Sequence, residues 1–118
     1  MPSLRTCCAK SSRRYPASMA ELRLSGAARR DLREIRREGV RLHGDAASEA
    51  YLLGLDRLFA LLRQQPFAGQ ARAEFRQSMR SLSHRPHRIL YHVEGNTVII
   101  DRILHQARDV GRALREDQ

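Results

Sequence analysis

Residues 87–109 read HRILYHVEGNTVIIDRILHQARD, and this stretch decides the fold. Its two runs, 88–94 and 97–104, are rich in Ile, Val, Leu, Tyr and Thr, residues that suit a pleated, half-buried surface. Between them Gly95 and Asn96 provide the positive backbone angles of a two-residue hairpin turn. Such a turn sets the register, placing Val93 opposite Val98, Tyr91 opposite Ile100 and Ile89 opposite Arg102. Alternation then gives two unlike faces. One carries Ile89, Tyr91, Val93, Val98, Ile100 and Leu104 and reads as a core floor. The other mixes Leu90, Ile99 and Ile103 with Arg88, His92, Asp101 and His105. That mixed face is the first candidate for a partner surface.

Working outward, residues 20–24 make one short strand with Leu22 and Leu24 on one side. Ser25 is a good helix N-cap, and a helix follows over 27–42. Leu32, Ile35, Gly39 and Leu42 recur at helical spacing. Arg29, Arg30, Arg33, Arg36 and Arg37 lie elsewhere around it, interleaved with Asp31, Glu34 and Glu38, as on a solvated salt-bridged face. Gly44 ends this helix and Asp45 caps a second, which runs to about residue 65 before Pro66. Its stripe is Tyr51, Leu55, Leu58 and Leu62, widened by Ala47, Ala50, Gly54 and Leu61. Residues 67–78 are a connection, 79–83 a further strand, and 109–115 a short terminal helix with Asp109 as its cap. The expectation is an α+β fold of order β-α-α-β-β-β. A helical hairpin packs on one face of a mainly antiparallel sheet, and a short C-terminal helix closes the chain.

The 118 residues suit one domain. Residues 1–18, a Ser, Pro and Arg mixture without periodicity, read as a disordered extension, and 19–118 as the folded domain. The extension carries four of the nine net positive charges, leaving five for the rest. Lys10 is the only lysine in the chain. That arginine bias reads first as base composition and second as attraction to an acidic partner. Cys7 and Cys8 are adjacent, so they form neither a disulfide framework nor a spaced zinc site. No apolar run reaches the ~20 residues of a membrane span, and the N-terminus has no apolar signal region. A cytoplasmic protein is the expectation.

The A-x-x-D-L-x-x-I pattern of Ala28 to Ile35, the Gly44 break, Ala50 with Tyr51, and above all Arg88 to Asp109 resemble the ParE branch of the ParE/RelE toxin superfamily. The likeness spans about residues 20–110. It implies the toxin of a bacterial type II toxin–antitoxin system, one that arrests growth by poisoning DNA gyrase on DNA and is neutralised by a ParD-type antitoxin. On that reading the contact candidates are Arg88, Leu90, His92, Ile99, Ile103, His105, Arg108 and Asp109. Direct sequence-specific nucleic-acid binding is not expected.

The related RelE branch cleaves mRNA on the ribosome, so ribonuclease chemistry is the alternative, with an inactive toxin-derived binding module as a third reading. Attack by a ribose 2′-hydroxyl needs a base, an acid and cations around the phosphate. The candidates for those tasks are Arg80, His84, Arg88 and His105. His84-x-x-His87 has no cysteine or carboxylate to complete a metal set. Ser78, Ser81 and Ser83 lack the elbow of a hydrolase nucleophile, and no Gly-rich phosphate loop occurs. The reading is a toxin without catalytic residues, metal or cofactor. A chain beginning at Met19 is expected to lie within about 1 kcal/mol of the full chain in urea melts. A larger loss would give the extension a structural role.

Overall fold

Ser25 opens the first helix through its hydroxyl. In the computed structural model, which describes residues 19–107, the Ala28 amide donates to Ser25 Oγ at 3.0 Å. That bond satisfies one of the four amides a helix start leaves without a partner. Strand β1 (Glu21–Leu24) precedes the cap and helix α1 (Gly26–His43) follows it. Helix α2 (Asp45–Gln64) begins after a single residue, Gly44. Gly44 has φ +87°, a conformation that side chains with a Cβ rarely adopt. Its amide closes α1 on the Val40 carbonyl and its carbonyl accepts from Ser48. Gly44, not Asp45, is therefore the boundary residue of both helices. Asp45 sits inside the first turn of α2, where its charge complements the helix dipole.

Four further strands complete one sheet: β2 (Gln70–Ala71), β3 (Arg80–His84), β4 (His87–Glu94) and β5 (Thr97–His105). The strand order is β1-β5-β4-β3-β2. β1 runs parallel to β5, and all other pairs are antiparallel. The expected α+β architecture is present, with β2 as an addition inside the connection. The expected C-terminal helix over 109–115, Arg108, Asp109 and residues 1–18 lie outside the described residues. The helical hairpin covers one sheet face, where Ala28, Leu55 and Leu62 meet Ile89, Tyr91, Val98, Ile100 and Ile103.

Simple alternation fails at one place. Val93 lies opposite Val98 and Tyr91 opposite Ile100, but Leu90 then pairs with Arg102 and Ile89 with Ile103. Asp101 is the extra residue of a β-bulge, which shifts everything after it by one. Ile89 therefore does not face Arg102. Ile103 turns into the helix-covered core, Leu104 turns to the outer face beside Leu90 and Met79, and His105 pairs with His87. Ile103 and His105 do not belong to the outer face, and Leu104 does not belong to the core floor.

Helix α1 and the residue that caps it supply what the bulge needs. Ser25 Oγ donates to the Asp101 carbonyl at 2.8 Å. Asp31 Oδ2 accepts from the Ile103 amide at 2.9 Å and from Arg102 Nε at 2.8 Å, while Arg102 Nη2 donates to Oδ1 at 3.1 Å. The two side chains are only 8% and 14% exposed. Asp31 is thus an interior ion-pair residue rather than part of the solvated face. The exposed pairs on α1 are Arg37 with Glu34 and Arg41 with Glu38.

The outer face is not left bare. Residues 72–79 close on themselves through backbone bonds from Arg72 to Met79 and from Met79 to Arg76. This strap sets Met79 and Phe75 against Leu90 and Leu104. Leu90 is fully buried, so the apolar patch expected to await a partner is partly covered by the chain itself.

Asp31→Ala is expected to lower unfolding free energy by about 3–5 kcal/mol, as when one partner of a buried ion pair is removed. Ile103→Asp is expected to unfold the protein, since it sets a carboxylate among core side chains. Circular dichroism melts measure both. A wild-type melt for Ile103→Asp would mean that no bulge shifts the strand.

Candidate functional site

Three neighbouring strands end in histidine on the helix-covered side. His84 pairs with His87 across β3 and β4, and His87 with His105 across β4 and β5. Tyr51 of α2 descends onto this row, stacked on the His84 ring at 4.3 Å between centroids. Gly54, one turn further along α2, makes the approach possible: a Cβ there would sit 2.6 Å from the His84 ring. In the sequence Gly54 only widens the apolar stripe of α2; in the structure its missing side chain makes room for a histidine.

The hydrogen bonds fix the protons. Tyr51 Oη lies 2.5 Å from the His84 carbonyl, which can only accept, so the phenol donates there. Its oxygen then accepts from His87 Nδ1–H at 2.7 Å, leaving His87 Nε2 with a lone pair. His84 Nε2 donates to the Tyr51 carbonyl at 3.1 Å. His105 Nδ1 accepts from the Ala107 amide at 3.1 Å, so the neutral ring carries its proton on Nε2. Burial, seconded by His105 and His84, holds His87 below its ordinary value, while nearby Asp31 opposes the shift. Burial pushes the Tyr51 phenol up to about 12. His87 and His105 border a cleft of about 510 Å³ between α1, α2 and the β3–β4 turn.

The residues considered for phosphate chemistry are dispersed. His84 and His105 join this row. Arg80 is on the same sheet face, but four residues back along β3, about 13 Å away at strand rise. Its guanidinium donates to the Gly69 and Phe67 carbonyls. Arg88 pairs with Ser83 and Leu104 on the other side, its guanidinium 6.0 Å from the Phe75 ring centre. Among the described residues, no three His, Cys, Asp or Glu side chains come together as a metal set.

On the outer face His92 is held by two carboxylates, Nδ1 to Asp101 at 2.7 Å and Nε2 to Glu94 at 2.9 Å. Burial alone would lower its pKa, but the bonds to Asp101 and Glu94 outweigh burial and raise it. Burial likewise raises Asp101, against His92 and Arg76, which reaches Asp101 from the strap at 4.0 Å. Ile99 beside His92 is half-buried. Of the eight contact candidates, Arg88, His92 and Ile99 share the outer face and are partly accessible, His92 paired with Ile99 and Arg88 four residues back along β4. Leu90 and Ile103 are buried, and His105 belongs to the cleft.

A second depression, about 580 Å³, lies between the two helices. Leu24, Leu32, Leu52 and Phe59 line it, and Arg29, Arg33 and Arg36 border it along α1. Asp56 is the one acid there, its carboxyl raised by burial against the pull of Arg36. The i, i+4, i+7 spacing of these arginines was visible in the sequence. The apolar wall that α2 contributes was not.

A two-helix hairpin on a mixed five-stranded sheet, with two grooves among its described residues, makes this a small α+β protein. The sequence model described as "ParE toxin of type II toxin-antitoxin system, parDE" matches residues 22–110, and the chain belongs to this family. Among solved structures, one from the chromosomal ParDE system of P. aeruginosa superimposes with a TM-score of 0.65 at 23% identity, covering 75% of this chain and 98% of that one. A chain of the toxin–antitoxin complex RelBE2 from Mycobacterium tuberculosis gives 0.51 at 23% identity, covering 79% and 98%. At these identities the two likenesses concern the fold. No curated protein matches the chain. Among the described residues no helix is long and apolar enough to cross a membrane.

The two perturbed histidines oppose each other in pH. His87, lowered in the folded state, contributes stability above its unfolded value of about 6.5 that is lost as pH falls below it. His92, raised, contributes stability below about 6.5 that is lost as pH rises through its folded value. Urea midpoints across this range should fall on both sides of neutrality. His87→Gln should flatten the acid side, and His92→Gln the alkaline side. Unchanged profiles in both variants would refute the assignment.

Proposed function

We propose that this ParE-family toxin acts as a protein ligand that poisons DNA gyrase on DNA, and that a ParD-type antitoxin holds it inactive. The observation that carries the non-catalytic reading is the dispersal of its cations. Arg88 and the histidine row are on opposite sides of the sheet, and Arg80 is committed to backbone carbonyls. A 2′-hydroxyl attack needs base, acid and cation around one phosphate. Family membership supports the target, because resemblance to ParE toxins implies gyrase. The same reading leaves the chain without cofactor or metal and places it in the cytoplasm beside its target.

The antitoxin's dock is proposed at the interhelical depression. Its walls are apolar and its border carries Arg29, Arg33 and Arg36. An acidic amphipathic segment fits both features. The outer-face trio of Arg88, His92 and Ile99 is the alternative dock and keeps a place in the test.

Purified toxin is expected to inhibit supercoiling or trap gyrase–DNA cleavage complexes while leaving mRNA intact. Ribosome-dependent mRNA cleavage with gyrase untouched would replace this function with the ribonuclease one. Arg29→Glu with Arg33→Glu is expected to weaken antitoxin binding by at least ~10-fold, with a reduced salt dependence. Retained affinity in that variant, with loss in Arg88→Glu or Ile99→Asp, would move the dock to the outer face.

A further inference from the structure

The cleft beside the histidine row has a chemistry that toxin action does not use. Its walls are largely apolar, with Ile35, Leu42, Ala47 and Pro86 around the aromatic edges of Tyr51 and His87. A volume of about 510 Å³ lies within the ordinary range for small-molecule sites. Glu38, His43 and Ser48 line the helix side of the cleft, with Glu38 engaged by Arg41. On the sheet side two polar ring edges remain once the internal bonds are assigned. His87 has its Nδ1 proton engaged by Tyr51, so Nε2 is an acceptor. His105 has Nδ1 engaged by the Ala107 amide, so Nε2–H is a donor. The two rings meet edge to face, 5.7 Å between centroids.

One acceptor and one donor on adjacent residues match a hydroxyl, which donates through its proton and accepts on its oxygen. A carboxylate offers no proton to His87, and an ammonium offers no lone pair to His105. We propose that this cleft is a binding site for a small neutral hydroxylated ring of the phenol class. Its hydroxyl bridges His87 Nε2 and His105 Nε2, and its ring lies against Ile35, Leu42 and Pro86. Tyr51 and His84 are positioning residues: they hold the tautomer of His87 and do not touch the ligand. Neutrality of the site agrees with the burial that disfavours the charged form of His87. The inference is independent of the gyrase reading, since it uses neither the interhelical depression nor the outer face.

The probe is p-cresol, with toluene as the same ring lacking the hydroxyl and benzoate as the anionic comparison. Titration into the full-length protein, followed by NMR, is expected to shift resonances of Ile35, Leu42 and Ala47. It should also move the His87 Nε2 nitrogen signal as its lone pair becomes engaged. p-Cresol is expected to bind at least ~10-fold more tightly than toluene, the range of one or two hydrogen bonds, and benzoate more weakly than both. His105→Phe should keep toluene binding and lose most of the p-cresol preference, which separates loss of the donor from loss of the cavity. Equal affinity for p-cresol and toluene, or shifts confined to another surface, would overturn the proposal. So would an unmoved His87 Nε2 at saturation. If His105→Phe abolishes toluene binding too, the wild-type nitrogen shift and the ligand ranking still decide the question.

Discussion

One carboxylate holds the two layers of this protein in phase. Asp31 projects from α1 and takes both the Arg102 guanidinium and the Ile103 amide, while Ser25, just ahead of the helix, takes the Asp101 carbonyl. A β-bulge frees backbone groups that a regular ladder would have paired, and buried backbone groups without partners are costly. Here the helix start supplies the partners. The bulge is stable because α1 lies where it does, and α1 is fixed because the bulge offers it a donor and an acceptor. Helix position, strand phase and core composition are one constraint.

The faces of the sheet divide their work accordingly. Inward, the helical hairpin covers an apolar core and, at one end, leaves the cleft bordered by His87 and His105. Outward, the strap of residues 72–79 shields Leu90 and Leu104, leaving a polar cluster around His92 and Asp101. The arginines of α1 are neither core nor random surface. Some answer to neighbouring glutamates, and those at 29, 33 and 36 border an apolar depression. That border raises the positive potential beside an apolar wall.

The features legible in the sequence are those with local causes. The two-residue turn, the Ser25 cap, the Gly44 break and the helical stripes each follow from residues within a few positions. The bulge was invisible for a specific reason: Ile103 and Leu104 are both apolar, so either phase of β5 satisfies an alternating pattern. Asp31 looked like one acid among arginines because its partner lies 71 residues away. The strap has no periodicity to read. The histidine row depends on the phase of β5, so its third member was placed on the wrong face. Tyr51 was assigned to the helix stripe, which is true of its ring but silent about its hydroxyl.

The bulge also bears on how such a strand can change over time. If Asp101 were lost from the chain, the bulge would disappear while Arg102, Ile103 and His105 kept their partners Leu90, Ile89 and His87. The core and the histidine row would stay as they are, with loss of the Asp101 bonds to Ser25 and His92. If the strand instead became regular with Asp101 retained, Arg102 would stand opposite Ile89, Ile103 would turn outward and His105 would leave His87. A lost residue is therefore milder here than a lost irregularity. What keeps the histidine row together is the phase of the strand, which Ser25 and Asp31 secure from the helix.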